Sequence, residues 1–201
     1  MAAPTEFIKA PEGAVQTLPV TAANRIPDSE ISIELCTEED ALQIASGFYT
    51  IFPPEWWAPK EPLHLRPPPD TRLSRLAKRL LPTFSHPGLH WIKAVHLPTR
   101  TTMGAACWAS PSLPCHNIFR RSAATFYGWG EKMGWSDAEM DDMWAGVDDE
   151  KWSAHFAKDD EARESVDATS TPIIVKCELL YLLSSDMAEA DSALCTARNA
   201  P

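Results

Sequence analysis

The chain has 201 residues, 44% of them hydrophobic, and a formal net charge of −10. That is enough apolar material for one sizeable core in one domain, and the acidic balance excludes general nucleic-acid binding. No apolar run reaches the roughly 18 residues of a membrane span, and Met1-Ala2-Ala3-Pro4-Thr5-Glu6 lacks the basic and apolar pattern of a targeting segment, so a cytoplasmic protein is expected.

Residues 1–29 are punctuated by Pro4, Pro11, Pro19 and Pro27 and show no period, which predicts a disordered leader. Ile31-Ser32-Ile33-Glu34-Leu35-Cys36 alternates apolar and polar, the mark of a strand with one buried face. Thr37 and Asp40 have the spacing of a capping box, and a helix with the stripe Ala41, Leu42, Ile44, Ala45, Phe48 and Tyr49 follows until Pro53-Pro54. Trp56-Trp57 then falls in a proline-rich connection. Asp70 is placed to cap a second helix, with Leu73, Leu76, Ala77 and Leu80 on one face and Arg72, Arg75, Lys78 and Arg79 on the other, closed by Pro82.

The segments 91–97 and 102–109 read as a hairpin of strands around Pro98-Thr99-Arg100-Thr101, with Gly104 at a bulge. From Asn117 to about Val166 the pattern is helical and acidic. Phe119, Ala123, Phe126 and Tyr127 form one stripe, Met140, Met143 and Trp144 a second after a cap at Ser136, and Trp152, His155 and Phe156 a third. Residues 173–183 are compatible with a late strand and 184–198 with a short helix, within a divergent tail at 168–201.

Charge is blocked along the chain. Residues 60–100 hold eight Lys or Arg against two acids, and 131–167 hold thirteen acids against four bases. Two solvated faces of opposite sign are the simplest expectation. The five cysteines (Cys36, Cys107, Cys115, Cys177, Cys195) contain no CxxC pair and read as reduced, small apolar side chains.

Several runs have a family character. They are Phe52-Pro53-Pro54-Glu55-Trp56-Trp57, His64-Leu65-Arg66-Pro67-Pro68-Pro69, His90-Trp91-Ile92-Lys93-Ala94-Val95, Gly104-Ala105-Ala106-Cys107-Trp108, Phe126-Tyr127-Gly128-Trp129 and Glu131-Lys132-Met133-Gly134-Trp135-Ser136. Through them residues 31–165 resemble fungal members of the GCN5-related N-acetyltransferase superfamily. The resemblance implies an α/β fold: a partial acyl-CoA N-acyltransferase-like fold, with a mixed, mostly antiparallel sheet flanked by helices. It also implies transfer of an acetyl group from acetyl-CoA to an amine on a small molecule or peptide. Residues 30–167 would be the N-terminal part of that domain.

In that family a strand leads into a glycine-containing loop whose amides hold the coenzyme diphosphate. Here Leu182-Leu183-Ser184-Ser185-Asp186-Met187-Ala188-Glu189 stands in that place, and no glycine follows Gly146. Glycine lets backbone approach a phosphate closely, whereas Asp186, Glu189 and Asp191 repel one. The expectation is an incomplete, truncated or altered family domain, weakly active or inactive, with acetyl-CoA binding doubtful and no cofactor-binding residue assigned. The alternative is a non-catalytic interaction module that self-associates through an exposed sheet edge.

No catalytic base is assigned. His96 is a candidate on its strand, with His64 and His90 behind it, and Cys107 and Cys115 are candidate nucleophiles. Trp56 and Trp57 are the candidate substrate-cleft residues. Arg72, Arg75 and Arg79 could attract an anionic cofactor end. His116 beside Cys115 lacks partners at metal spacing, the acids of 139–150 do not match a calcium loop, and no metal is expected.

Overall fold

The computed structural model describes residues 26–110 and 112–167 and the strand at 177–181. The expectations for residues 1–25 and for a helix at 184–198 lie outside the described residues. The chain mixes helices and strands around a small antiparallel sheet. Strand β1 (Ile31–Leu35) leads through a turn of 3-10 helix into α1 (Ala41–Ile51), and α2 (Pro54–Trp57) and α3 (Pro69–Phe84) follow. Strands β2 (Leu89–His96) and β3 (Thr101–Ala109) come next, then helices α4 (Ala123–Phe126), α5 (Trp129–Met133), α6 (Asp137–Trp144) and α7 (Asp149–Asp167), then β4 (Cys177–Tyr181). The strand order is β1-β2-β3-β4, with every pair antiparallel.

Helices α1 and α3 cover one face of the sheet. Leu89, Trp91, Ala105, Cys107 and Ala109 share the main core with Ile44, Phe48, Leu76 and Leu80. Ile44, Leu76, Leu80 and Trp152 are each 1% exposed. Burying side chains of this size contributes about 1.5–3 kcal/mol apiece. Trp91 Nε1 donates to Thr83 Oγ1 at 2.9 Å, and that hydroxyl donates onward to the Leu80 carbonyl at 2.6 Å, which fastens β2 to the last turn of α3.

The start of α1 is fastened in the same way. The Asp40 carboxylate accepts from the Thr37 main-chain N–H at 2.8 Å and from Lys93 Nζ, on β2, at 2.6 Å. The capping box of Thr37 and Asp40 is present, as is that of Ser136 and Glu139 before α6.

Several local expectations change. The alternation of β1 is present, but Ile33 is 60% and Leu35 72% exposed. Register explains it: Ile33 lies opposite Ala94 and Leu35 opposite Ile92, on the face turned away from α1 and α3, while Glu34 lies opposite Lys93 on the helix face. Trp56-Trp57 forms a helical turn, because Pro54 at the first positions of α2 presets the helical φ. Asp70 sits in the first turn of α3, whose cap residue is Pro68. Pro82 does not close α3, which runs on to Phe84 with the Pro82 ring fully buried. The bulge falls at Met103, since Ala94 pairs with Gly104 and Val95 with Thr102. Leu42 (54% exposed) and Phe126 (51%) lie off their predicted stripes.

The two charged blocks are not separate solvated faces. Helix α3 packs against α6, and Arg75 pairs with Asp142 at 2.5 Å and Lys78 with Glu139 at 2.9 Å. The exposed Glu139 carboxyl is held down to about 2, first by the Ser136 main-chain N–H and then by Lys78.

The contrast within the predicted stripes is measurable. Leu76→Ala should lower the unfolding free energy by about 2–5 kcal/mol in urea denaturation, and Leu42→Ala by no more than about 0.5 kcal/mol.

Candidate functional site

A buried carboxylate organises the space between α1, α2 and α3. Glu61 is 2% exposed. Tyr49 Oη donates to its Oε1 at 3.1 Å, Arg72 Nε donates to its Oε2, and Arg79 Nη2 lies 4.0 Å from Oε1. Arg66 donates twice to the Glu61 main-chain carbonyl, at 3.1 and 2.6 Å, so the carboxylate is held by its backbone as well.

Aromatic rings enclose the cations. The Arg72 guanidinium lies 3.7 Å from the Tyr49 ring centre and 5.1 Å from that of Trp57. Arg79 lies 4.6 Å from Trp144 and 5.1 Å from Trp152. One carboxylate thus serves two guanidinium groups, and ring faces supply part of the missing negative potential. Burial lowers the pKa of Arg79, opposed by Tyr49 and Glu61, and burial followed by the Glu61 charge raises that of the Tyr49 hydroxyl.

The two tryptophans singled out from sequence occupy different positions. Trp57 is 3% exposed, packs on Tyr49 (4.5 Å between ring centres) and Trp152 (6.2 Å), and donates its indole N–H to the Phe52 carbonyl at 3.1 Å. Trp56 is half-buried, stacked on Phe52 at 4.5 Å and edge-on to His155 at 5.2 Å. Lys60, itself 4% exposed, places Nζ 3.5 Å above the Trp56 ring. Burial pushes the Lys60 ammonium down to about 8, against the pull of Asp159 and Glu61. The Lys60 carbonyl accepts from the Asp148 N–H at 2.8 Å, which ties α7 to this turn.

The arginines of α3 are brought together on structural duty. Arg72 and Arg79 turn inward to Glu61, with side chains 18% and 8% exposed, and Arg75 meets Asp142. The histidines stay apart. His96 contacts Thr99 Oγ1 at 2.8 Å and Glu30 at 3.5 Å at the hairpin end, and His64 and His90 are exposed. His116 Nε2 contacts Ser122 Oγ at 3.0 Å, and its ring stacks on Phe126 at 4.2 Å. Burial, then Arg120, lowers the His116 pKa.

A small cavity of about 20 Å³ is lined by Cys107, His116, Asn117 and Asp160 among others, and Cys115 Sγ donates to the Asp160 carbonyl at 3.2 Å. The Cys36 thiol is pushed up to about 12 by burial, which leaves it a poor nucleophile. Among the described residues no group of three or more His, Cys, Asp or Glu could hold a metal ion, and no helix is long and apolar enough to cross a membrane.

Glu61, Lys60 and Tyr49 were not singled out from sequence. Helical phase held a signal for the arginines: positions 72, 76, 79 and 83 share one face, so Arg72 and Arg79 flank Leu76 rather than oppose it. Comparison with protein-family models, with curated proteins and with solved structures finds no match to this chain.

Removing the shared carboxylate leaves two buried cations exposed to each other. Glu61→Gln should therefore cost about 3–5 kcal/mol in denaturant unfolding. Glu61→Leu with Arg72→Leu should cost less than the sum of the single changes. A separate pH signature belongs to Lys60. Its folded pKa of about 8 lies below the ordinary 10.5, so between these values the unfolded chain binds more protons and stability rises with pH. Lys60→Met should flatten that rise in denaturation curves collected from pH 7.5 to 10.5, relative to the unsubstituted chain.

Proposed function

We propose that this chain is an N-acetyltransferase-related protein, by ancestry directed at an amine on a small molecule or peptide, in which acetyl transfer is weak or absent. The observation that carries the ancestry is the order of elements: a wholly antiparallel β1-β2-β3-β4 arrangement in which α1 and α3 leave β1, cover one face and return into β2. The succession of strand, helices, strand, strand supports the resemblance, although the described sheet is wholly antiparallel where a mixed, mostly antiparallel one is expected. Two of the motif residues, Trp91 and Cys107, lie on the helix-covered face of the sheet.

Weak activity is argued from the chemistry of the donor set. A coenzyme diphosphate needs bare amides following β4. The stretch Leu182 to Glu189 offers no glycine and brings Asp186 and Glu189 instead. The positive-φ glycines among the described residues are Gly128 and Gly134, which flank α5 rather than follow β4. This composition speaks against a coenzyme-diphosphate site in that stretch. Both Glu61 oxygens are already engaged, so this carboxylate is not a free base for an incoming amine.

A second reading, a non-catalytic interaction module, draws on the exposed Ile33 and Leu35 of β1, an outer strand of the described sheet. Isothermal titration of the 201-residue chain with acetyl-CoA tests both. No heat of binding is expected at millimolar coenzyme. Micromolar affinity would defeat the weak-binding reading and the non-catalytic module together.

A further inference from the structure

A second cavity, of about 20 Å³, lies between α3, α5, α6 and α7. Its walls include Arg79 from α3, Arg120 from the segment before α4, Trp129 from α5, and the rings of Trp135, Trp144 and Trp152. Arg79 Nη1, Arg120 Nε and Trp129 Nε1 are buried N–H donors without a hydrogen-bond partner among the described residues. The Arg79 side chain is 8% exposed and Trp129 2%. A buried donor left unmade costs about 1–3 kcal/mol, and more when it is charged. The three residues that carry them border one space whose lining is otherwise mainly apolar, so an acceptor seated there would meet little competition for these donors.

Charge narrows the acceptor. Arg120 is matched by Asp160 at 3.0 Å. Arg79 is not matched so well, because its carboxylate partner stands 4.0 Å away and already accepts from Arg72 and Tyr49. Two guanidinium groups on one carboxylate leave one positive charge over, next to the recess. The occupant must accept hydrogen bonds, carry negative charge and contain few atoms. Water meets the first and third conditions but carries no charge. A metal cation is repelled by both arginines.

We propose that this recess binds one small monoanion, a halide or a one-carbon carboxylate such as formate, through Arg79, Arg120 and Trp129. The site does not rest on the proposed acetyl transfer. An anion there joins α3 to α5 and to the segment before α4, and because the unfolded chain has no such site, binding stabilises the fold.

Bromide is the probe, being a monoanion that also quenches indole emission. The full chain in sodium gluconate is titrated with sodium bromide at constant ionic strength. Saturable quenching above the linear collisional background, displaced by chloride, is expected, together with a Tm that rises with bromide and not with gluconate. Trp129→Phe keeps an aromatic wall and removes one donor, and should weaken bromide roughly 3- to 10-fold by the thermal-shift readout. Arg79→Gln should remove the saturable response. Purely linear quenching in the unsubstituted chain would mean a recess filled by water and would overturn the proposal. So would an unchanged bromide shift in Trp129→Phe, which decides the matter alone if Arg79→Gln fails to fold.

Discussion

The arrangement of the helices depends on the sharing of one carboxylate. Glu61 is taken out of water by the turn after α2, and it is tolerable there only because Tyr49 from α1 and Arg72 and Arg79 from α3 converge on it. The partners come from two helices, so the position of α3 relative to α1 and α2 is set by an electrostatic requirement as well as by packing. The surplus positive charge is then dispersed over Tyr49, Trp57, Trp144 and Trp152. The high tryptophan content thus has a physical use: indole is apolar enough for a core and presents a negative face to a guanidinium.

The acidic helices belong to the same scheme. Helix α6 sets Glu139 and Asp142 against Lys78 and Arg75, and α7 sets Asp160 against Arg120. The two pairs of α6 are exposed and each contributes little alone, whereas Asp160 is buried. Their joint effect is orientation. The apolar residues between them, Met143, Trp144, Trp152 and Phe156, are buried in the same core cluster as Leu76 and Leu80 of α3.

Much of the fold was legible in the residues. The strand alternation at 31–35, the hairpin at 89–109, both capping boxes and the Leu76–Leu80 stripe all lie where periodicity and turn chemistry put them. What escaped depends on tertiary placement. Alternation shows that β1 has two faces, but not which one the helices cover, and register turned Ile33 and Leu35 outward. An arginine on a helix reads as solvated until a buried acid from another segment faces it, so Arg72 and Arg79 were assigned to the wrong environment. Glu61 itself, an acid in a basic stretch between prolines, carries no periodic signal at all. Trp56 and Trp57 were legible as an aromatic feature, but one sequence cannot separate a ring that packs under Arg72 from one that holds a ligand.

The Asp40 carboxylate touches the first turn before α1 with one oxygen and the β2 lysine Lys93 with the other. Helix start and sheet are therefore latched by a single group. Rocking of α1 over the sheet would have to break this latch at one end and the Tyr49–Glu61 contact at the other, so the helix is tied to its neighbours at both ends.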